Sequence, residues 1–337
     1  MAEQRNNLLS ISNLSLGYSP AITLVESIQA SVGAGEMIAL VGRNGSGKST
    51  LLRTLAGIQN IRKGEVRMND KNIGSMHPAE LSSLISFVGT GFREFADLTV
   101  FELVSLGRHP YTNWWGALRE ADKQRIMESL KFVGMDGFVR SRINNLSDGE
   151  RQRVMIAMSL AQDTPLLILD EPTAYLDIPN RITIAEVLFK LKDSGRSILF
   201  STHDFDIAFA YADQIWIIND NKMLIGAPED LGIQGAYDQL FSNSGLAFDQ
   251  KNMRFGKSRK ITKKICLHNT GNSSVDYWTS RSLERAGFKV VKAKDADLAE
   301  IFIEQRDEEL CWILRMYDTS RKYNSLYELT RDLKLGS

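Results

Sequence analysis

The sequence is short of several things, and each shortage narrows the field. Only two of its 337 residues are cysteine, Cys266 and Cys311. Two thiols cannot build a disulfide scaffold, and a reducing compartment is the simple expectation. No apolar run approaches the ~20 residues that a membrane-spanning helix needs. The first residues, Met1 to Asn7, are polar and lack the apolar core of a secretion signal. A surplus of one charge is missing as well, because 41 basic side chains face 41 acidic ones. A chain that coats nucleic acid would carry a basic excess against phosphate, so no nucleic-acid partner is expected.

What is present is ordinary globular material. Hydrophobic residues make up 43% and charged residues 24%, enough apolar surface for a core and too much for disorder. At roughly 150 residues per domain, the length suggests two domains. The composition shifts near residues 245–264. Between Lys251 and Lys264 there are seven basic residues and no acidic one. The expected division is a larger unit over 1–245, a basic linker or exposed hairpin over 246–263, and a small α/β domain over 264–337.

The pattern of the first unit is strand-like at its start, with alternating Leu9, Ile11, Leu14, Leu16 and Tyr18. A continuous apolar run, Met37 to Val41, leads into a glycine-rich loop and then a helix over about 49–56, with Gly57 as its stop. Further continuous runs at Leu166–Leu169 and Ser197–Phe200 read as buried parallel strands, with a helix over 181–191 between them.

The loop Gly42-Arg43-Asn44-Gly45-Ser46-Gly47-Lys48-Ser49 fits G-x-x-x-x-G-K-[ST] at every fixed position, between strand and helix. Its glycines allow backbone amides to turn inward around a phosphate, and the helix N-terminus adds partial positive charge. Lys48 is placed to reach β- and γ-phosphates and the Ser49 hydroxyl to ligate Mg²⁺, with Thr50 following. A second acidic signal ends the Leu166–Leu169 run: Asp170 and Glu171 stand at the strand edge where ligands bind in open α/β sheets. Asp170 suits the Mg²⁺ shell, and Glu171 suits general-base activation of water.

Between these motifs stands Leu146-Ser147-Asp148-Gly149-Glu150-Arg151-Gln152-Arg153. Here the chain resembles the ATP-binding cassette (ABC) family, whose signature is Leu-Ser-Gly-Gly-Gln. The order of phosphate loop, signature, acidic strand, Thr173–Asp177 and Ser201-Thr202-His203-Asp204 matches that family over about residues 8–230. The resemblance implies an α/β fold of the P-loop NTPase type: a β-rich ATP-binding core, a helical subdomain over about 90–160, and here the extra C-terminal domain. It implies ATP and Mg²⁺ as cofactors and two cassettes sharing two ATP molecules. Tyr18 would stack on adenine, or be a core aromatic. Ser147 and Gly149 would meet the nucleotide bound by the other copy, while Ser147-x-x-Glu150 also reads as a capping box. His203 would hydrogen-bond the γ-phosphate, and Asp177 would link the two sites. Where the family has a glutamine after a strand, this chain has Gly89-Thr90, with no Gln between Gln59 and Gln124. Thr90 is assigned that place near the metal.

The segment Gly107-Arg108-His109-Pro110-Tyr111 resembles the importer branch that serves ferric siderophores, haem and cobalamin. Trp114 and Trp115 follow it, as an interface or as packing within the helical subdomain. The expectation is a homodimeric importer ATPase, peripheral on the cytoplasmic face through a transmembrane permease and served indirectly by a substrate-binding protein. A soluble non-transport ATPase and a slow regulatory module are the alternatives. In the last domain, Thr270-Gly-Asn-Ser-Ser274 reads as a helix cap rather than an anion loop.

Overall fold

A computed structural model describes residues 7–19, 22–90, 97–112, 115–241, 246–249, 253–257, 263–268, 270–291, 298–306, 309–316 and 319–335. The chain divides into two units, Met1–Phe255 and Gly256–Ser337.

The first unit opens with β1 (Asn7–Ser19), β2 (Ile22–Gly33), β3 (Met37–Gly42), α1 (Lys48–Leu55), β4 (Lys63–Met68), β5 (Lys71–Asn72), α2 (Pro78–Ser82) and β6 (Ile85–Val88). Three helices follow, α3 (Val100–Ser105), α4 (Glu120–Phe132) and α5 (Asp148–Ala161). Then come β7 (Leu166–Leu169), α6 (Ile178–Asp193), β8 (Ser197–Ser201), α7 (Phe205–Tyr211), β9 (Gln214–Asn219) and β10 (Lys222–Gly226). The unit closes with α8 (Pro228–Ile233), α9 (Ala236–Leu240), β11 (Leu246–Asp249) and the first half of β12 (Arg254–Lys257), which runs across the division.

Six strands form the central sheet in the order β10-β9-β3-β8-β7-β6, parallel except for β10. Residues of β3, β7 and β8 are buried on both faces, which is why their sequences run apolar without alternation. Successive side chains still point to opposite faces. Ala39 and Val41 join one apolar cluster with Val104, Ile126, Val154 and Leu188 of the helices. Ile38 and Leu40 join a second with Leu51 and Leu52 of α1 and Leu9, Leu14 and Val25 of a four-stranded sheet, β2-β1-β4-β5.

Over its described part, the segment 246–263 forms a hairpin. β11 pairs with β12. Phe248 lies 4.8 Å from the Tyr237 ring, and Phe255 lies 4.7 Å from both Phe205 and Phe241. These spaced aromatics anchor the hairpin to the first unit's core. Residues 258–262 lie outside the described ones.

The Gly107–Tyr111 segment is a 3₁₀ turn, Leu106–Tyr111, that fastens α3, α4 and α5 together. Arg108 pairs with Asp122 at 2.8 Å, and its other guanidinium nitrogen donates to the Ala161 carbonyl at 2.8 Å. The Tyr111 ring lies 4.0 Å under that guanidinium, and its hydroxyl donates to the Gln162 carbonyl. Gly107 is there because a Cβ would sit 2.1 Å from the Met158 carbonyl oxygen. Trp115 is 87% exposed; Trp114 lies outside the described residues.

The second unit holds β13 (Lys263–Leu267), α10 (Ser273–Ala286), β14 (Phe288–Val291), β15 (Glu300–Arg306), β16 (Glu309–Met316), β17 (Thr319–Tyr323) and α11 (Leu326–Leu335). Its sheet order is β14-β13-β15-β16-β17. Ile265, Leu267, Ile301, Trp312 and Leu314 pack with Leu283 of α10 and Leu329 of α11. Asn272 caps α10 by accepting from Ser274 and Val275 amides, and Asp276 accepts from the Thr270 amide and hydroxyl. The Thr270–Ser274 loop therefore has the geometry of a cap.

Candidate ATP site

Parallel pairing brings four strand ends to one edge of the central sheet. Val88 registers with Leu169, Leu169 with Phe200, and Leu40 with Ser201. The segments that leave β3, β6, β7 and β8 at this edge carry Gly42–Lys48, Gly89-Thr90, Asp170-Glu171 and Thr202-His203. Sheet topology alone thus gathers motifs spread over more than a hundred residues of sequence.

After β3 the chain turns through Gly45 at φ 78° and Gly47 at φ 105°, conformations that suit glycine, and enters α1 at Lys48. A Cβ on Gly42 would come within 2.8 Å of the Ile218 carbonyl oxygen and Ser46 Oγ. Lys48 is buried and donates through Nζ to the carbonyls of Gly42 (2.9 Å) and Arg43 (3.3 Å). Burial pushes its ammonium below the usual lysine range, while the Glu171 and Asp170 carboxylates push it back up. An anion in this loop would supply what the lysine now takes from its own backbone. Arg43, Asn44 and Gly45 are exposed at the rim, and Ser49 and Thr50 lie on the first turn of α1.

Asp170 is 2% exposed. Its Oδ1 accepts from the Ser201 hydroxyl at 2.7 Å, and Ser201 Oγ in turn accepts the Glu171 amide at 2.8 Å. Asp170 Oδ2 is buried with no hydrogen-bond partner, and so is Ser46 Oγ in the phosphate loop. Buried acceptors left open are costly unless something occupies them. A carboxylate oxygen and nearby hydroxyls are the hard oxygen donors that Mg²⁺ takes, so the residues fit that ion. Glu171 sits at φ 51°, in the left-handed region that side chains rarely adopt. Its Oε1 accepts from His203 Nε2 at 2.7 Å. Glu171 and His203, expected from the sequence to act as general base and γ-phosphate contact, thus touch each other.

The matches to known proteins agree with this geometry. A model described as ABC transporter matches residues 25–174, and one described as iron ABC transporter C-terminal domain matches 262–334. An ABC transporter ATP-binding protein of Methanocaldococcus jannaschii is 36% identical over 279 residues, covering 80% of this chain and 95% of that one. The chain belongs to the ABC transporter ATP-binding family. The petrobactin import ATP-binding protein FpuD of Bacillus anthracis is 33% identical over 265 residues, 76% of this chain and 97% of that one. A solved dimeric bacterial ABC transporter cassette, MJ0796, superposes with a TM-score of 0.58 at 27% identity, covering 65% of this chain and 98% of that one.

The ABC signature is a helix start. Ser147 caps α5: its Oγ accepts the Glu150 amide at 3.3 Å, and Glu150 Oε2 accepts from the Ser147 amide and hydroxyl, both at 2.8 Å. The hydrogen bonds from Ser147, the backbone one first, hold the Glu150 carboxyl below the usual range against a smaller effect of burial. Glu150 thus has a structural reason to replace the family glutamine. Asp148, the other departure, pairs with Arg151 at 2.9 Å and stays exposed. Gly149 is buried, and a Cβ there would meet Asn180 Oδ1 at 2.5 Å.

Asp177 caps α6 by accepting from the Asn180 amide (3.1 Å) and side-chain nitrogen (2.8 Å). Arg153 reaches Asn180 Oδ1 at 3.4 Å. Asn180 and Ser201 are the positioning residues that sequence reasoning missed. Asp177-x-x-Asn180 at a helix start was a visible signal for the first; the second needs the β7–β8 register. Thr90 lines a cleft of about 470 Å³ with Asp170, Glu171 and Gln152. Gln152, one turn into α5, is the glutamine that lines this cleft. Tyr18 belongs to β1 by its backbone; its side chain lies outside the described residues.

Proposed function

We propose that this chain is the ATP-hydrolysing subunit of an importer for an iron chelate of the siderophore class, haem or cobalamin. It would work as a homodimer beneath a transmembrane permease, on the cytoplasmic face, with a substrate-binding protein upstream. No helix among the described residues is long and apolar enough to cross a membrane. The observation that carries the ATPase reading is the meeting of Lys48, the open Asp170 oxygen and the Glu171–His203 pair at one sheet edge. The cargo reading is supported by the petrobactin-import relative and by the match to an iron-transporter C-terminal domain.

In this reading Mg²⁺, held by Ser49 and Asp170 with Thr90 nearby, would neutralise charge on the phosphates. Lys48 exchanges its two backbone carbonyls for phosphate oxygens. Backbone amides of Arg43 to Ser49 cradle the β-phosphate. Glu171 accepts the proton of the attacking water, and His203 holds that carboxylate in place until the γ-phosphate takes over its Nε2–H. Ser147 and Gly149 of one copy would face the nucleotide of the other. Tyr175, 89% exposed, and Ile178, 63% exposed, flank Asp177, a surface suited to a second cassette.

Glu171→Gln tests the reading, since it keeps the shape and removes the base. With Mg-ATP it should accumulate a nucleotide-bound dimer on gel filtration and lose hydrolysis. A variant that stays monomeric and hydrolyses at the wild-type rate refutes it.

A further inference from the structure

The second unit contains a cluster that the ATPase reading does not use. Cys266 is on β13 and His268 follows one residue after its end, still bonded to the neighbouring strand, so the two lie two residues apart on one side of the extended chain. Cys266 registers with Glu300 on the neighbouring β15. His268 Nε2 lies 3.0 Å from Glu300 Oε1 and 3.7 Å from Cys266 Sγ. Among the described residues this is the group of metal-ligating side chains brought together, with one donor atom from each within 4.8 Å of the others.

We propose that Cys266, His268 and Glu300 form a binding site for a divalent first-row transition ion, Zn²⁺ or Fe²⁺. A tetrahedral ion about 2.3 Å from sulfur and about 2.0–2.1 Å from nitrogen and oxygen requires ligand-to-ligand edges of about 3.4–3.6 Å. Two of the three edges, 3.7 and 3.0 Å, lie on either side of that range, and the third, between Cys266 and Glu300, is within 4.8 Å. The donor set is a thiolate, an imidazole and a carboxylate, which favours Zn²⁺ or Fe²⁺ over Mg²⁺ or Ca²⁺. Thiolate and carboxylate together neutralise a divalent ion.

The ligands are also held in place. The Cys266 amide donates to the Ala299 carbonyl at 2.9 Å and the His268 amide to the Ile301 carbonyl at 3.0 Å. Both ligand-bearing residues are therefore tied to the strand that carries the third. The Phe302 ring stacks on the imidazole at 4.1 Å, with the planes 7° apart, and fixes its orientation. Cys266 is buried, but the side chains of His268 and Glu300 are 27% and 21% exposed. Solvent or a further donor can therefore reach the fourth position. The site does not depend on the transport reading.

The test is titration of the untagged full-length chain with Co²⁺, without nucleotide, followed by absorption spectroscopy. One ion per chain with a thiolate-to-cobalt charge-transfer band is expected, displaced by Zn²⁺ or, anaerobically and only in excess, by Fe²⁺, and not by Mg²⁺. Cys266→Ser should abolish the band and Cys311→Ser should keep it. If Cys266→Ser does not fold, His268→Gln and Glu300→Gln carry the test, each weakening Co²⁺ at least about tenfold. Absence of the band in the wild type, displacement by Mg²⁺, or a band that follows Cys311 overturns the proposal.

Discussion

Replacing Arg108 by alanine probes the helical region and separates charge from packing. Arg108 and Asp122 are 12% and 6% exposed in their side chains. The guanidinium donates to Asp122 Oδ1 through both Nε (2.9 Å) and a terminal nitrogen (2.8 Å), and to the Ala161 carbonyl at the end of α5. Removing one partner of a buried pair costs about 3–5 kcal/mol, because the other charge stays behind. The slight exposure of Arg108 argues for the lower end, about 3 kcal/mol. Burial pushes the Asp122 carboxyl up, but the Arg119 amide and Arg108 more than offset it, so it lies below the usual range. A depressed carboxylate stabilises the fold above its unfolded pKa, and that stability is lost as pH falls through its folded pKa. Without Arg108, burial dominates and Asp122 protonates more readily. The penalty of Arg108→Ala should therefore be largest near pH 7 and shrink as pH drops into the carboxylate range. Urea unfolding of both proteins at several pH values measures this. Adding Asp122→Leu should recover part of the loss. A penalty under about 1 kcal/mol at pH 7, or one that does not change with pH, refutes the account.

The other expectations concern single positions. Lys48→Ala should weaken nucleotide binding by more than tenfold, read by titration calorimetry; unchanged affinity would remove its phosphate role. Gly107→Ala places a methyl against the Met158 carbonyl and should lower stability by about 1–3 kcal/mol in denaturant unfolding; a neutral result would show that α5 moves aside easily. Thr90→Gln should leave ATP hydrolysis within about threefold of wild type if Thr90 occupies the place of the family glutamine (~0.6 kcal/mol in barrier height); collapse of activity would disprove that assignment.

Much of this was legible in the sequence where local chemistry decides structure. The apolar runs of β3, β7 and β8 announced buried parallel strands, and the loop between β3 and α1 announced its own turn through its glycines. The capping box at Ser147 was readable from two residues. Where distant partners decide, the sequence was silent. β17 is polar and exposed along most of its length and forms by pairing with β16. The hairpin β11–β12 is held by rings from α7 and α9, while its composition left a linker and an exposed hairpin both open. Gly107–Tyr111 suggested a branch of importers. Its structural task, a buried ion pair beside a close backbone contact, was not visible without α4 and α5 beside it.

Asn180 gives the first unit a mechanical property. Its backbone amide and side-chain nitrogen both hold Asp177, its side chain fills the space that Gly149 leaves, and Arg153 grips it from α5. The starts of α5 and α6 are thus riveted together by one residue. While those contacts persist, a shift of one helix start is carried to the other through Asn180.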